Sequence, residues 1–189
     1  MQLILASQSP RRRELMGLFR RPFIVRVADV DEAMDPERPF DEVARVSRAK
    51  ALAIPREKDD VVVAADTIVV CCGQTLGKPR TKDEAFEMLS LLSGRDHQVM
   101  TGMTVLCGEK EVTCTEVTDI HFRRLTDKEI QNYIATGEPM DKAGAYGIQG
   151  GAALFAEKMV GDYYNVMGLP VCRLHEILRQ LAPEWMEET

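Results

Sequence analysis

Val61-Val62-Val63-Ala64-Ala65-Asp66-Thr67-Ile68-Val69-Val70 is a continuous apolar, largely β-branched run with one carboxylate at its centre. Such a run reads as a strand buried on both faces. An ionised carboxylate there is costly to desolvate unless a metal, a cation or hydrogen-bond donors meet it. The plainer reading puts Asp66 at a strand end, where it caps a turn or pairs with a lysine. Gly77-Lys78-Pro79 brings a cation soon after the strand, and the N-terminal region supplies more.

Residues 1–26 hold Arg11, Arg12, Arg13, Arg20, Arg21 and Arg26 against Glu14 alone, in a chain whose net charge is −6. The overall charge argues against a general nucleic-acid binder. The local patch suits a small anionic ligand. Leu3 to Ala6 reads as a short strand, Ser9 as an N-cap and Pro10 as the first helical residue. A helix is expected over Arg11–Phe19, with Leu15, Leu18 and Phe19 on its core face. Three arginines in a first turn oppose the helix dipole. As an anion site, the same N–H groups and cations act together.

Further along, a strand is expected over Phe23–Val30, followed by Asp29, Asp31, Glu32 and Asp35. These carboxylates either hold a hard cation or form a solvated loop. Phe40–Ile54 reads as a helix with Val43, Val46, Lys50 and Ala53 on one face. Lys50, on that stripe, either snorkels to the edge or points into a cleft. Cys72-Gly73-Gln74 reads as a tight turn. Thr81-x-x-Glu84 is a capping box that opens a helix to Leu92, with Ala85, Met88, Leu89 and Leu92 inward. Two strands, Gln98–Leu106 and Val112–Phe122, turn at Gly108-Glu109-Lys110. Thr126-x-x-Glu129 opens a helix closed by Gly137. Two turn-rich segments follow, Glu138–Gly151 and Gly161–Pro170. The first is glycine-rich but is no P-loop. A last helix is expected over Val171–Leu181, and an acidic, frayed end over Pro183–Thr189.

At 189 residues, 45% hydrophobic and 29% charged, the chain reads as one globular domain, 1–189. It shows no repeat, linker, signal-peptide region or bilayer-spanning run. Its five cysteines show no Cys-x-x-Cys spacing, which points to reduced thiols in a cytoplasmic protein. His97, His121 and His175 show no metal-ligand spacing.

Ser7-Gln8-Ser9-Pro10-Arg11-Arg12-Arg13-Glu14-Leu15, Ala65-Asp66-Thr67, Gly77-Lys78-Pro79, Leu92-Ser93-Gly94, the run from Gly137-Glu138-Pro139 through Gly147-Ile148-Gln149-Gly150, and Gly161-Asp162-Tyr163-Tyr164-Asn165 through Gly168-Leu169-Pro170 together resemble the Maf family of nucleotide pyrophosphatases. The motifs occur in order from Leu3 to about Leu181. The resemblance implies an α/β fold related to the inosine triphosphatases: a mixed twisted sheet flanked by helices, two lobes and a central cleft. It implies divalent-metal-aided hydrolysis of a nucleoside triphosphate to the monophosphate and diphosphate, with Mg²⁺ or Mn²⁺, and a homodimer. Arg12, Thr67 and Gln149 match the branch that acts on dTTP and UTP rather than on 7-methyl-GTP.

The resemblance and the residue chemistry assign the site together. Asp66 is the general base, and Asp66 and Glu32 are the metal ligands. Ser9, Arg11, Arg12, Lys50 and Lys78 contact the phosphates, because attack on a polyanion needs neutralising charge. Gln149, which both donates and accepts, reads the pyrimidine edge, with Thr67 adding a hydroxyl. Asp141 and Lys142 are either a structural pair or a phosphate and metal relay. The competing reading is a non-catalytic nucleotide- or nucleic-acid-binding regulator of cell division, in which the arginines bind without chemistry.

Overall fold

The computed structural model describes residues 1–187. Its seven-stranded sheet runs in the order β2-β1-β3-β5-β6-β7, with β4 paired to β3 off this path. The strands are β1 (Leu3–Leu5), β2 (Ile24–Val25), β3 (Val61–Cys71), β4 (Gln74–Leu76), β5 (Asp96–Cys107), β6 (Lys110–Phe122) and β7 (Ala156–Val160). β1 is parallel to both β2 and β3, while β3, β5, β6 and β7 pair antiparallel. The sheet is therefore mixed, as the resemblance implies. The helices are α1 (Pro10–Gly17), α2 (Pro39–Leu52), α3 (Lys82–Leu92), α4 (Asp127–Ala135), α5 (Tyr163–Met167), α6 (Val171–Leu181) and α7 (Pro183–Glu187).

The period-two alternation of β3 separates its neighbours. Val61, Val63 and Ala65 pack with Leu15 and Met16 of α1 and with Leu174, Ile177 and Leu178 of α6. Farther along the same face, Val69 and Cys71 meet α3 and α4. Val62, Ala64 and Ile68 face the other way, onto α2 and its C-terminal flank. α1 and α2 thus cover opposite faces beside the carboxyl end of β1, which is where open α/β sheets place ligands.

The edge of β3 opposite β5 carries the decisive feature. β1 pairs with Val61 to Val63, and β4 pairs with Val69 to Cys71. Between them the edge has no strand among the described residues. Asp66 and Thr67 lie in this gap.

Gly102, the register partner of Asp66 on β5, lets α2 press onto the sheet at that level. A Cβ there would lie 2.2 Å from the Val43 carbonyl oxygen. Lys50 follows Val43 by two turns on the same helix face.

Several expectations are corrected. β2 is two residues long rather than Phe23–Val30, because its partner β1 has only three residues to offer. α1 stops at Gly17, so Leu18 becomes its C-cap and is exposed, and Met16 fills the core instead. On α2, Val43, Val46, Ser47 and Ala51 are the buried set, and Ala53 lies past the helix and is exposed. Thr81 caps α3, but Glu84 returns its carboxylate to the Arg80 N–H rather than to Thr81. The box at Thr126 and Glu129 is complete. β4, β7 and α5 are additional elements; β7 is a largely polar, exposed strand. Pro183–Glu187 is helical, with Trp185 buried against the α1–α6 core. The rest of the predicted frayed end, Glu188 and Thr189, lies outside the described residues.

Candidate active site

Asp66 sits at mid-strand and turns toward α2. Its carboxylate is met by Lys50, whose Nζ lies 2.7 Å from Asp66 Oδ1. Lys50 therefore points into the cleft rather than snorkelling. The same ammonium lies 2.7 Å from Glu32 Oε1. The side chains of Asp66 and Lys50 are 12% and 16% exposed, against 60% for Glu32. Asp66 is the deep carboxylate and Glu32 the one at the mouth. Asp29, Asp31 and Asp35 do not line the hollow that holds Asp66, although Asp29 lines the neighbouring one beside Ser9 and Arg11.

Thr67 projects from the opposite face of β3, yet it reaches the same cleft because the strand edge between them is open. Arg12 crosses from α1 to meet it. Its Nη2 donates to Thr67 Oγ1 at 2.9 Å, its Nε to the Gly168 carbonyl at 2.7 Å and its Nη1 to Ser7 Oγ at 3.3 Å. Burial pushes the Arg12 guanidinium below its usual pKa, Asp66 opposes that shift and Arg11 adds to it. An arginine stays charged under such a load, so a desolvated cation is held beside the carboxylates. Thr67 Oγ1 lies 2.9 Å from Thr101 Oγ1, and Thr101 Oγ1 donates to the Asn165 carbonyl at 3.0 Å. Because Thr101 spends its proton on Asn165, the Thr67 hydroxyl must donate to Thr101. Both the proton and one lone pair of Thr67 are thus engaged in fixing Arg12.

Ser9 caps α1, its Oγ accepting from the Arg12 N–H at 3.4 Å. Its hydroxyl proton stays free to donate to a ligand. Arg11 pairs with Asp141 at 3.0 Å, and Asp141 also pairs with Lys142 at 2.6 Å. Burial raises the Asp141 carboxyl, but Lys142 and Arg11 together outweigh it and leave the pKa lowered. Asp141 and Lys142 are thus a pair that ties α1 to the glycine-rich segment. Lys78 is exposed on the cleft rim, without an ion pair among the described residues. Arg13 is exposed and lines neither hollow of the cleft. Gln149 is exposed and lines the cleft from the far side.

The hollow beside Asp66 and Gln149 holds about 490 Å³, and a larger one, of about 680 Å³, continues past Ser9, Arg11, Arg12, Lys50 and Lys78. The structure therefore brings Ser9, Arg11, Arg12, Glu32, Lys50, Asp66, Thr67, Lys78 and Gln149 around one cleft. Ser7, Thr101, Asn165 and Gly168 were not anticipated. Ser7 is within a quoted motif. Asn165 and Gly168 also stand within a quoted motif, whereas Thr101 acts only through tertiary contact, so no local pattern marks it.

Among the described residues, no group of three or more His, Cys, Asp or Glu side chains is placed to hold a metal. The oxygen pair Glu32 and Asp66 nonetheless fits a hard divalent cation, because both already meet one ammonium at 2.7 Å. Magnesium takes few carboxylates and keeps several waters. No helix among the described residues is long and apolar enough to cross a membrane.

Comparison with known proteins finds relatives over nearly the whole chain. A protein of Alkaliphilus metalliredigens (strain QYMF) named dTTP/UTP pyrophosphatase is 47% identical over 184 residues, covering 95% of both chains. One of the same name from Symbiobacterium thermophilum is 50% identical over 183 residues, covering 96% of this chain and 94% of its own. The structure of a HAM1 protein from Coxiella burnetii shares the fold, with a TM-score of 0.52 over 95% of this chain and 99% of its own at 14% identity. The Maf-like protein family model matches residues 2–181. With Asp66, its cations and the glycine-rich segment set around one cleft, the chain belongs to the Maf-like protein family.

Proposed function

We propose that this chain is a nucleoside triphosphate diphosphatase. It hydrolyses dTTP and UTP, and modified pyrimidine nucleotides of the same shape, to the monophosphate and diphosphate. It thereby clears them from the nucleotide pool. The observation that carries this reading is a single deep carboxylate, Asp66, opening from a buried strand into a cleft ringed by Lys50, Arg12, Arg11 and Lys78. The relatives named for this activity support it.

In this reading Asp66 takes a proton from water as its oxygen attacks the α-phosphorus. The bond from that phosphorus to the bridging oxygen breaks, and diphosphate leaves. Arg12, fixed from three sides, offers its remaining N–H groups to the phosphates, where preorganised charge is most effective. Ser9 donates its hydroxyl at the head of α1. Lys50, Lys78 and Arg11 neutralise the departing charge, Arg11 after release from Asp141. Glu32 and Asp66 would hold Mg²⁺ or Mn²⁺, which supplies charge neutralisation and polarises phosphate oxygens when bound. Gln149 reads the pyrimidine edge by donating and accepting. Thr67 serves that selectivity by holding Arg12. A homodimer, which the family resemblance implies, in the cytoplasm, which the unpaired cysteines suit, completes the proposal; light scattering after size exclusion reads the oligomer.

The test is diphosphate release from a panel of nucleoside triphosphates with Mg²⁺, with Mn²⁺ and with chelator. Metal-dependent release from dTTP and UTP, and little from purine nucleotides, is the expected result. Release from a different base would keep the chemistry and remove the specificity. No release from any nucleotide by folded protein would overturn the function and favour the binding regulator.

A further inference from the structure

The segment that carries Gln149 is pinned at two points, placed symmetrically about that residue. The Gly147 N–H donates to Tyr133 Oη at 3.0 Å, and Tyr133 Oη donates to Glu138 Oε1 at 2.9 Å. The Gly151 N–H donates to the other oxygen, Glu138 Oε2, at 3.1 Å. Gly147 and Gly151 lie two residues before and two after Gln149. Between the anchors, Ile148 is buried in the α1–α6 core and Gln149 faces the cleft. The backbone runs hard against the carboxylate: a Cβ at Gly150 would lie 2.0 Å from Glu138 Oε1.

The anchor is itself fixed. Tyr133 is buried on α4, and its ring packs edge-on against Phe155 at 5.2 Å. Burial first, and then Glu138, raise its pKa, so the hydroxyl keeps its proton and donates. The Glu138 backbone carbonyl accepts from Lys142 Nζ at 2.6 Å, the same lysine that pairs with Asp141. Tyr133 and Glu138 line neither hollow of the cleft, and their effect on it passes through the loop. Selection of a base by a hydrogen-bonding side chain depends on the placement of that side chain, because a misplaced donor leaves the base edge unpaired.

We infer that Tyr133 and Glu138 are positioning residues for base selection, holding Gln149 in register with the pyrimidine edge of the nucleotide. This rests on the proposed role of Gln149. It assigns selectivity to a hydroxyl and a carboxylate outside the cleft.

The experiment compares the wild-type chain, Tyr133→Phe, Glu138→Gln, Gln149→Ala and the double variant Tyr133→Phe/Gln149→Ala. For each, kcat and KM are measured on dTTP, UTP and two purine triphosphates. Tyr133→Phe keeps the ring and removes only the bridging hydroxyl, and Glu138→Gln keeps the size and one acceptor. The expected result for Tyr133→Phe is a KM for dTTP and UTP raised about tenfold, the scale of one displaced hydrogen bond. Its kcat holds, and its preference over purines falls in step. Glu138→Gln moves in the same direction. Within the Gln149→Ala background, Tyr133→Phe changes selectivity no further, since both act through one side chain. An equal loss of kcat on every nucleotide, or additive effects in the double variant, would reduce the pair to structural support and overturn the inference. Selectivity lost in Gln149→Ala but kept in Tyr133→Phe overturns the positioning role alone. Selectivity kept in Gln149→Ala overturns base reading by Gln149, and the positioning role falls with it.

Discussion

Asp66 and Thr67 are adjacent in sequence, point to opposite faces of β3 and belong to two kinds of construction. On the α2 face, Asp66, Lys50 and Glu32 are joined by ionic contacts that grow more exposed toward the cleft mouth. On the other face, Thr67 is one link in a directional chain from Arg12 through Thr101 to the Asn165 carbonyl. Arg12 is tied separately to the Gly168 carbonyl. In the proposed function, charges that exchange partners when a phosphate and a cation arrive are held by contacts that exchange readily. The arginine whose place must not change is wired to backbone. The cleft unites the two faces only because β3 lacks a strand neighbour between β1 and β4.

Asp66→Asn tests the exchangeable face most severely. Turnover should fall about 10²- to 10⁴-fold, the usual share of a general base, with thermal unfolding little changed. A variant that keeps its rate of diphosphate release removes Asp66 as the base.

Gly102→Ala attacks the same face through its scaffold. A methyl 2.2 Å from the Val43 carbonyl must push α2 off the sheet, costing about 3 kcal/mol as overpacking against backbone. Denaturant unfolding measures it, and an unchanged midpoint would mean that α2 is not held by this contact.

The opposite face carries a pH dependence of its own. His97 is 2% exposed and hydrogen-bonds the Tyr146 hydroxyl at 2.9 Å. Burial pushes its pKa down from 6.5 to about 4. The unfolded chain therefore takes up a proton below the ordinary histidine pKa while the folded chain does not. Stability is complete above that value and is lost as pH falls toward 4. Between pH 8 and pH 5 the loss from this residue is roughly 2 kcal/mol. Unfolding curves for wild type and His97→Gln at the two pH values should differ in slope by that amount; parallel behaviour would contradict the assignment.

Thr67→Val sharpens the comparison with the least disturbance. The shape is kept and the link between Arg12 and Thr101 is lost, so kcat/KM should fall about tenfold while Thr67→Ser stays near wild type. If serine fails as badly as valine, the methyl packing matters rather than the hydroxyl.

The central strand was legible as a continuous apolar run, α2, α3 and α6 by their apolar periods, and α3 and α4 by their caps. Asp66 stood out because a charge inside a β-branched run demands a partner. Lys50 was visible on its apolar stripe, though its direction depended on how closely Gly102 admits α2. β7 escaped because its sequence, Ala156-Glu157-Lys158-Met159-Val160, is short and lacks strict alternation, and it gains its order from β6. Thr101 and Asn165 escaped for a related reason: their roles exist only across strands and loops distant in sequence. The specificity expected of Thr67 shifted in meaning, from touching the base to holding an arginine.

The open edge of β3 also leaves a kinetic signature. Val61 to Val70 all keep a register partner on β5. On the other edge, the Val61 N–H donates to Gln2 and the Val63 carbonyl accepts from Ala6. By alternation, the amides of Ala65 and Thr67 face the gap, while that of Asp66 faces β5. One strand should then show two classes of hydrogen exchange at consecutive residues. A nucleotide seated in the cleft should slow the Ala65 and Thr67 amides and leave that of Asp66 as it was. Occupancy becomes readable from the backbone, without any turnover at all.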